Sequence, residues 1–225
     1  MRWGWSCIFC TGRNGRWRFE GDGMSIILGL AVSAALTGAT PMGSPGRWLT
    51  DQDYPPDARR RREQGAVAFT LLISPNGMPL KCNVTRSSNF DDLDKQSCTL
   101  LMRRARFTPA RDIDGNAAHT YYRGFMYWSF SRPTPLVYAP DIDLQVDKLP
   151  GGAKEKTVSI LVQTDLDGHV VACNLAKSED NEPKNLVAVA CKEAATMSPM
   201  PVRDGDGRSV TAVRPLKVSF ATALP

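Results

Sequence analysis

Two stretches of the chain decide its fold: GAVAFTLLISPNGMPLKCNVTRSS at residues 65–88 and KTVSILVQTDLDGHVVACNLAKS at residues 156–178. Both run from alternating apolar residues through a glycine turn to a cysteine and a small-residue exit. Cys82 and Cys173 are 91 residues apart, and the turn glycines of the two stretches have the same spacing. Self-similarity at one fixed offset indicates an internal repeat, so we interpret the chain as two diverged copies of one unit of about 70 residues.

Each copy has the pattern of strand, strand, helix and strand. Apolar residues alternate through the first two strands, and the Asn-Gly and Asp-Gly turns between them favour tight hairpins. A helix follows, because apolar residues recur at helical spacing from Cys98 to Ala105. The last strands run roughly from 120 to 130 and from 210 to 220. We therefore predict an α+β fold of two such units, each with a small antiparallel sheet packed on a helix.

The four cysteines of the repeat predict two disulfide bonds. In each copy one cysteine lies on the inner side of the second strand and one lies on the helix that packs against it. An even number of cysteines behind a leader favours Cys82–Cys98 and Cys173–Cys191, each worth about 3 kcal/mol by loop entropy. Buried free thiols and a metal site formed by all four sulfurs are the alternatives, although the pairs lack the short spacing of metal ligands. The residues predicted on the inner side of the second strands are Leu80, Cys82, Val84, Val171, Cys173 and Leu175.

The N-terminal segment predicts export. Three arginines precede a short apolar run from Met24, which ends in small residues at positions 37–39. This layout is typical of a secretory signal peptide, so we expect residues 1–39 to be a leader and the mature protein to be periplasmic. An uncleaved segment acting as a short inner-membrane anchor is the alternative.

Composition excludes several classes of protein. Of the 225 residues, 42% are hydrophobic and 23% are charged, which is ordinary for a globular protein and excludes a wholly disordered chain. The net charge is +5, without a basic stripe interleaved with aromatic residues, so nucleic-acid binding is not expected. The histidines are His119 and His169, and the sequence has no phosphate-binding glycine loop and no nucleophile elbow. We therefore expect no enzyme activity, no cofactor, no metal site and no small-molecule substrate.

Charge and proline content set the domain boundaries. Residues 40–132 hold 14 basic and 9 acidic residues, whereas residues 133–225 hold 10 basic and 12 acidic residues. Such a contrast indicates two modules with different surfaces. Four prolines between 133 and 150 indicate an extended linker. The predicted organisation is a leader at 1–39, a first domain at 40–132, a Pro-rich linker at 133–152 and a second domain at 153–225.

A series of short motifs follows in order through the first copy. They are Tyr54-Pro55-Pro56-Asp57-Ala58, Gly65-Ala66-Val67, Ile73 with Gly77, Ser87-Ser88 before Leu93-Asp94, Arg103-Arg104-Ala105-Arg106-Phe107-Thr108-Pro109-Ala110, Asp114-Gly115 and Trp128. With these motifs the segment Trp48–Phe130 resembles the C-terminal domain of TonB, the energy transducer that contacts outer-membrane transport receptors. The second copy keeps the hairpin, the helix and the last strand but lacks the Tyr-Pro pair and the Arg-x-Arg-Phe motif, so we interpret it as a degenerate copy of the domain.

The resemblance implies a protein-binding module associated with energised transport across the outer membrane rather than an enzyme. In such domains the last strand lies at the sheet edge, where an extended peptide can add through main-chain hydrogen bonds. Here the expected edge is Thr120–Phe130, and the expected partner is an outer-membrane receptor peptide or another envelope protein. The residues expected to bind it are Tyr54, Pro55, Arg106, Phe107, Tyr121, Tyr122, Arg123, Phe125, Tyr127 and Trp128.

Two further hypotheses accompany this prediction. The copies could pack on each other as a structural or accessory periplasmic module, with the acidic second copy covering the basic first one and blocking its edge. The Arg59–Arg62 run is either a solvated helix face or a contact for anionic membrane headgroups. The short spacer Thr40–Trp48 argues against direct force transmission across the envelope, because a few residues extend over only a few tens of ångströms.

Overall fold

The computed structural model describes residues 35–131, 133, 135–176 and 183–222. Most of the predicted leader lies outside these residues, and so do its two cysteines, Cys7 and Cys10. The α-helices are α1 (Pro56–Arg60), α2 (Asp91–Arg104) and α3 (Lys184–Thr196), and short 3-10 turns occur at Pro45–Arg47, Asp51–Asp53 and Pro150–Gly152. The strands are β1 (Thr40–Pro41), β2 (Gly65–Ile73), β3 (Pro79–Arg86), β4 (Phe107–Thr108), β5 (Ala110–Arg111), β6 (Ala117–Trp128), β7 (Ile142–Val146), β8 (Glu155–Thr164), β9 (Val170–Leu175), β10 (Val202–Arg203), β11 (Ser209–Val210) and β12 (Ala212–Thr222).

The predicted α+β class is confirmed, and the two halves of the fold share one sheet. The central strand order is β3-β2-β6-β12-β8-β9, with β5 beside β6 and β7 beside β12. Within each half the three main strands are antiparallel, as predicted. The halves join where β6 and β12 run parallel, with His119 opposite Ala212 and Thr120 opposite Val213. Instead of two separate small sheets there is one, because an unpaired strand edge is stabilised by pairing with another strand.

The two long helices lie on opposite faces of this sheet. Side chains of β6 such as Tyr122 and Met126 pack with α2 in the first core. Side chains of β12 such as Leu216 and Val218 pack with α3 in the second core. Successive side chains of a strand alternate between faces, and Thr120, on the α2 face of β6, is opposite Val213, on the face of β12 away from α3. The sheet is therefore covered by α2 in its first half and, from the other side, by α3 in its second half.

A β-bulge in each second strand changes the predicted inner residues. Leu72 pairs with Lys81 and Ile73 with Pro79, so that Leu80 is left over and packs on the face away from α2. The corresponding bulge in β9 leaves Val171 58% exposed. The prediction that Leu80 and Val171 lie on the inner side is therefore wrong, because an inserted residue reverses the alternation.

Both predicted disulfide bonds are confirmed. Cys82 on β3 is bonded to Cys98 on α2, and Cys173 on β9 is bonded to Cys191 on α3. The Cα–Cα distances are 5.6 Å and 5.8 Å, in the usual range for disulfides. Each bond joins the second strand of a half to the helix that covers it.

The predicted linker contains a strand. Residues 142–146 form β7, which pairs in parallel with Val218–Thr222 of β12. Leu149, three residues further on, is buried against the second core. Proline is absent between Pro140 and Pro150, so this stretch can donate main-chain hydrogen bonds as a strand must.

The end of the predicted leader is also part of the fold. Leu36 is 3% exposed, and Thr37 exchanges two main-chain hydrogen bonds with Arg111, at 3.0 and 2.9 Å. Met42 N–H donates to the carbonyl of Arg106 at 2.8 Å. We call residues 36–42 the N-terminal strap. The cluster around Leu36 joins both halves and contains Ala110, Ala118, Leu161 and Val213.

Candidate functional site

The candidate site is the side of β6 that faces away from β2. On the β2 side, β6 is paired without interruption from Thr120 to Trp128. On the other side, β12 pairs only with His119 and Thr120, and β5 pairs with Ala117 and Ala118 before the open stretch begins. Between Tyr121 and Trp128 no strand of the described residues pairs with this side. The predicted edge is therefore interior to the sheet where β6 begins and open along the rest of its length; we call residues 121–128 the open side of β6.

Three cavities contact β6, and one of them lies on its open side. This cavity, of about 400 Å³, is lined by Tyr121 and Phe125 and by residues 215–217 of β12. The other two, of about 270 and 250 Å³, contact residues 124–127 and 127–129 but are also lined by β2 or the residue before it, on the paired side of β6. We call the 400 Å³ cavity the groove; a groove beside unpaired main chain has the shape that an extended peptide requires.

The largest cavity lies where β6 and β12 diverge. Past Val213 the two strands no longer pair, and Pro215, Leu216 and Lys217 form the wall opposite Tyr121. Gly38 and Ala39 of the N-terminal strap also line this space. The cavity is therefore built by both halves of the fold and by the strap.

An aromatic pair covers the middle of the groove. The ring of Phe125 stacks on Tyr138 with centroids 4.2 Å apart, and the guanidinium of Arg86 lies 5.7 Å from the Phe125 centroid. The Tyr138 hydroxyl donates to the carbonyl of Phe69 at 3.1 Å and to that of Gly124. Burial raises the pKa of Tyr138, so it remains a protonated donor at neutral pH. Phe125 and Tyr138 thus form a rigid aromatic surface beside unpaired main chain.

The charges near the groove are mostly matched within the protein. Both terminal nitrogens of Arg123 bind the carboxylate of Asp141 at 2.7 Å. Asp141 also accepts the main-chain N–H of Lys217 at 2.8 Å. The guanidinium of Arg214 lies 5.1 Å from the ring centroid of Tyr121, a cation–π contact. Because Arg123 is already paired, main-chain and aromatic contacts offer more to a partner here than charge does.

Six of the ten predicted binding residues lie together on β6. Tyr121, Tyr122, Arg123 and Phe125 line the largest cavity, and Tyr127 lines the two smaller ones. Trp128 is 1% exposed, and its indole N–H donates to the hydroxyl of Ser97 at 2.8 Å. Trp128 therefore supports the strand from the core instead of offering surface to a partner.

The other four predicted residues lie away from the groove. Phe107 is buried, with its ring 4.9 Å from that of Tyr122, so that it positions β6 from beneath. Tyr54 stacks on Phe130 at 4.9 Å and donates to the carbonyl of Glu63. The residues that line none of the three cavities are Tyr54, Pro55, Arg106 and Phe107.

Sequence reasoning missed residues outside the last strand. Trp48 lines the middle cavity with its ring 6.0 Å from Tyr122, and Leu136 donates its N–H to the Tyr127 hydroxyl at 2.8 Å. Tyr138 was missed because it lies in the segment predicted as a linker. Its signal was present, since a tyrosine beside Leu136 and Val137 is unusual in a solvated linker.

The Arg59–Arg62 run is only partly matched by acids. Arg60 pairs with Asp57, and Arg61 binds both Glu63 at 2.6 Å and Asp92 at 3.0 Å. The four arginines are exposed. The geometry is that of a solvated surface, and the membrane-headgroup contact remains a prediction.

One exposed hairpin turn brings acidic side chains together. A carboxylate oxygen of Asp165, one of Asp167 and an imidazole nitrogen of His169 lie within 4.8 Å of one another. The Asp165 carboxylate accepts the main-chain N–H groups of Asp167 at 3.0 Å and His169 at 2.8 Å. These bonds lower the pKa of Asp165 and give its carboxylate a turn-closing role.

Among the helices of the described residues, none combines the length and the apolar character needed to cross a bilayer. The apolar run after Met24 falls largely outside those residues.

Comparison with known families supports the predicted family resemblance of the first half of the chain. The family model for the Gram-negative bacterial TonB protein C-terminal matches residues 50–127, from just before α1 to near the end of β6. Neither a curated protein nor a solved structure matches the chain. The match stops before β7, so the interpretation of the second half as a degenerate copy remains a prediction, although its order of elements and its disulfide are the same as those of the first half.

Proposed function

Because residues 50–127 belong to the TonB C-terminal domain family, we propose that this chain is a periplasmic protein that binds an extended segment of an outer-membrane receptor, or of another envelope protein, along the open side of β6. The family is one of non-enzymatic binding and transducing domains associated with transport across the envelope. The proposal for this chain is recognition without catalysis.

The open side of β6 carries the proposal. Residues 121–128 lack a strand partner on one side among the described residues, and the 400 Å³ groove lies on that side beside Tyr121 and Phe125. An added strand would satisfy main-chain N–H and C=O groups that otherwise bond to water. Affinity in this mode comes from the main chain, and specificity comes from pockets that receive alternate side chains.

The side chains of the groove suit an apolar or aromatic partner. Tyr121, Phe125 and Tyr127 are partly buried and line the cavities. Rigid aromatic side chains are frequent among residues that dominate binding energy. We therefore propose a partner segment with apolar residues at alternate positions.

Peptide titration tests the proposal directly. Synthetic peptides from the N-terminal segments of outer-membrane receptors are titrated into the protein, and main-chain NMR shifts of residues 121–128 are followed. We expect Phe125→Ala to weaken binding about tenfold, since a hot-spot side chain contributes more than about 1 kcal/mol. The matched control is Val171→Ala, an exposed position in the second half, which should bind as the unmodified protein does. Equal affinity of both variants, or no shifts at 121–128, would exclude this site.

A second candidate function is a structural module in which the halves cover each other. It is favoured by the pairing of β6 with β12 and by the buried cluster that the halves share. Hydrogen exchange of the protein alone separates the candidates. An open side predicts that amides of 121–128 alternate between fast and slow exchange, because only those facing β2 are bonded. Uniform protection would favour the structural module.

A further inference from the structure

The second half already has a strand where the first half has its open side. Strand β7 runs parallel to the last part of β12, with five consecutive pairs from Ile142–Val218 to Val146–Thr222. The side chains of Ile142, Leu144 and Val146 pack against the second core, whereas the residues between them are exposed. β7 thus docks as an extended segment with apolar residues at alternate positions.

Strand pairing shows which part of β6 corresponds to this docked edge. Val67 pairs with Met126 in the first half, and Val158, its counterpart at the repeat offset of 91, pairs with Val218 in the second. The edge Val218–Thr222 therefore corresponds to residues 126–130, of which 126–128 belong to the open side of β6. In the first half that stretch has no strand on its outer side among the described residues. The same edge is occupied in one half and vacant in the other.

Asp141 anchors β7 at its start. Its main-chain N–H donates to the carbonyl of Lys217 at 2.7 Å, and its carboxylate accepts the N–H of Lys217 at 2.8 Å. The same carboxylate binds Arg123 on β6. The docked strand is thereby joined to β12 and, through one ion pair, to the open side of β6.

We propose that Ile142–Val146 is a built-in strand ligand that keeps the second half closed to external peptides, so that the chain offers one receptive edge, on β6. This inference rests on the proposed function of β6. A short tether gives a segment an effective concentration of roughly millimolar. An external peptide at micromolar concentration would need to bind the edge about a thousand-fold more tightly than β7 to displace it.

Complementation by a peptide tests this role. The probe is a synthetic peptide with the sequence of residues 140–148, PDIDLQVDK, and the readout is residue-resolved amide exchange at 218–222. In the variant I142N/L144N we expect the amides of this stretch that face β7, those of Ser219 and Ala221, to exchange at least tenfold faster, and saturating peptide to restore the protection. The N–H of Thr222 donates to Lys154 on the β8 side and should not respond. A scrambled peptide of the same composition should restore none, and the unmodified protein should not respond at 218–222. The matched control is D143C/S219C, which crosslinks two residues that face each other in register and should leave 218–222 protected with or without peptide.

Two outcomes would overturn the inference. One is unchanged protection of 218–222 in I142N/L144N, and the other is a folded variant in which added peptide restores nothing; either makes β7 an ordinary structural strand. If I142N/L144N does not fold, Asp141→Ala leaves the apolar residues in place and should show the same peptide-dependent protection at a smaller amplitude. Failure of the proposed function appears separately, as the absence of receptor-peptide shifts at 121–128.

Discussion

Asp53 connects the start of the family-matched domain to the end of its long helix. Its two carboxylate oxygens bind the guanidinium of Arg104 at 2.6 and 2.7 Å, and Arg104 also donates to the carbonyl of Trp48 at 3.1 Å. These bonds to Arg104 hold the pKa of Asp53 well below its usual range. The carboxylate is therefore ionised in the folded protein at pH values where an unfolded chain is protonated.

This contact predicts a pH-dependent contribution to stability. A carboxyl group with a lowered folded-state pKa stabilises the protein above its unfolded pKa of about 3.9, and the contribution is lost as the pH falls below that value. We expect Asp53→Asn to lower the free energy of unfolding at pH 7 and the gap to the unmodified protein to narrow below about pH 4. Urea unfolding at several pH values measures it. Asp51→Asn is the control, because Asp51 is an exposed neighbour on the same turn, and a gap independent of pH would contradict the expectation.

The conformation and surroundings of Gly77 predict that an alanine there would destabilise the fold. Its φ is +79°, and a Cβ there would collide with the carbonyl oxygen of Phe107. Gly207 has a similar φ of +81° but nothing within 4 Å of such a Cβ. We expect Gly207→Ala to cost about 1 kcal/mol from the backbone conformation alone and Gly77→Ala to cost clearly more. Equal unfolding free energies for the two variants would show that the main chain at Phe107 moves away from the added Cβ at little cost.

For single residues, the sequence predicts which side chains bond to each other better than it predicts which side of the sheet a residue lies on. The disulfide pairs follow from repeated spacing, and both are present. Leu80 and Val171 were placed on the wrong side, because a bulge depends on main-chain register and leaves no mark in a short apolar alternation. Likewise, Phe107 and Trp128 are aromatic residues of the kind that often bind partners, and only the structure shows that both are buried in the core.

At the element scale, the N-terminal strap constrains how the leader is processed. Cleavage after Ala39 would remove Leu36, which is buried in the cluster shared by both halves. If the leader is cleaved, we therefore expect the exported protein to begin at or before Leu36. Mass spectrometry of the mature protein measures this, and a mature chain beginning at Thr40 would contradict it.

Substitution within the strap measures the stability that it contributes. Leu36→Ala removes buried apolar surface and should cost about 2–4 kcal/mol in urea unfolding. Met42→Ala, at a position that is 61% exposed on the same strap, should change the unfolding free energy by less than about 0.5 kcal/mol. Similar effects of both substitutions would mean that the strap does not stabilise the fold.

The helices and strands differ in how well the sequence predicts them. Both hairpins and both long helices follow from alternation and helical spacing, since these patterns are local. β7 was hidden because it pairs with a strand some 75 residues away and lies in a proline-rich stretch. β6 was recognised as a strand, but its neighbour β12 could not be inferred, so a free edge was expected at the start of β6, where His119 and Thr120 are paired with β12.

At the scale of the whole molecule, the continuous sheet predicts that the halves unfold together. Trp48 and Trp128 lie in the first half, and residues 153–225 contain no tryptophan. Phe220→Ala, a core change in the second half, should cost about 3 kcal/mol or more. We expect it to lower the urea midpoint reported by tryptophan fluorescence in the chain beginning at Leu36. A lower midpoint in circular dichroism with an unchanged fluorescence midpoint would show two independent units.

The helices on opposite faces and the parallel junction of β6 with β12 together describe a rotation of half a turn about an axis along the strands. That is the relation between the subunits of a two-fold homodimer, in which every change in one surface is repeated in the other. A single chain whose two halves differ in sequence is released from this constraint. It can leave the aromatic edge of β6 unpaired from Tyr121 onward and pair the corresponding edge of β12 with β7, a strand of its own connecting segment.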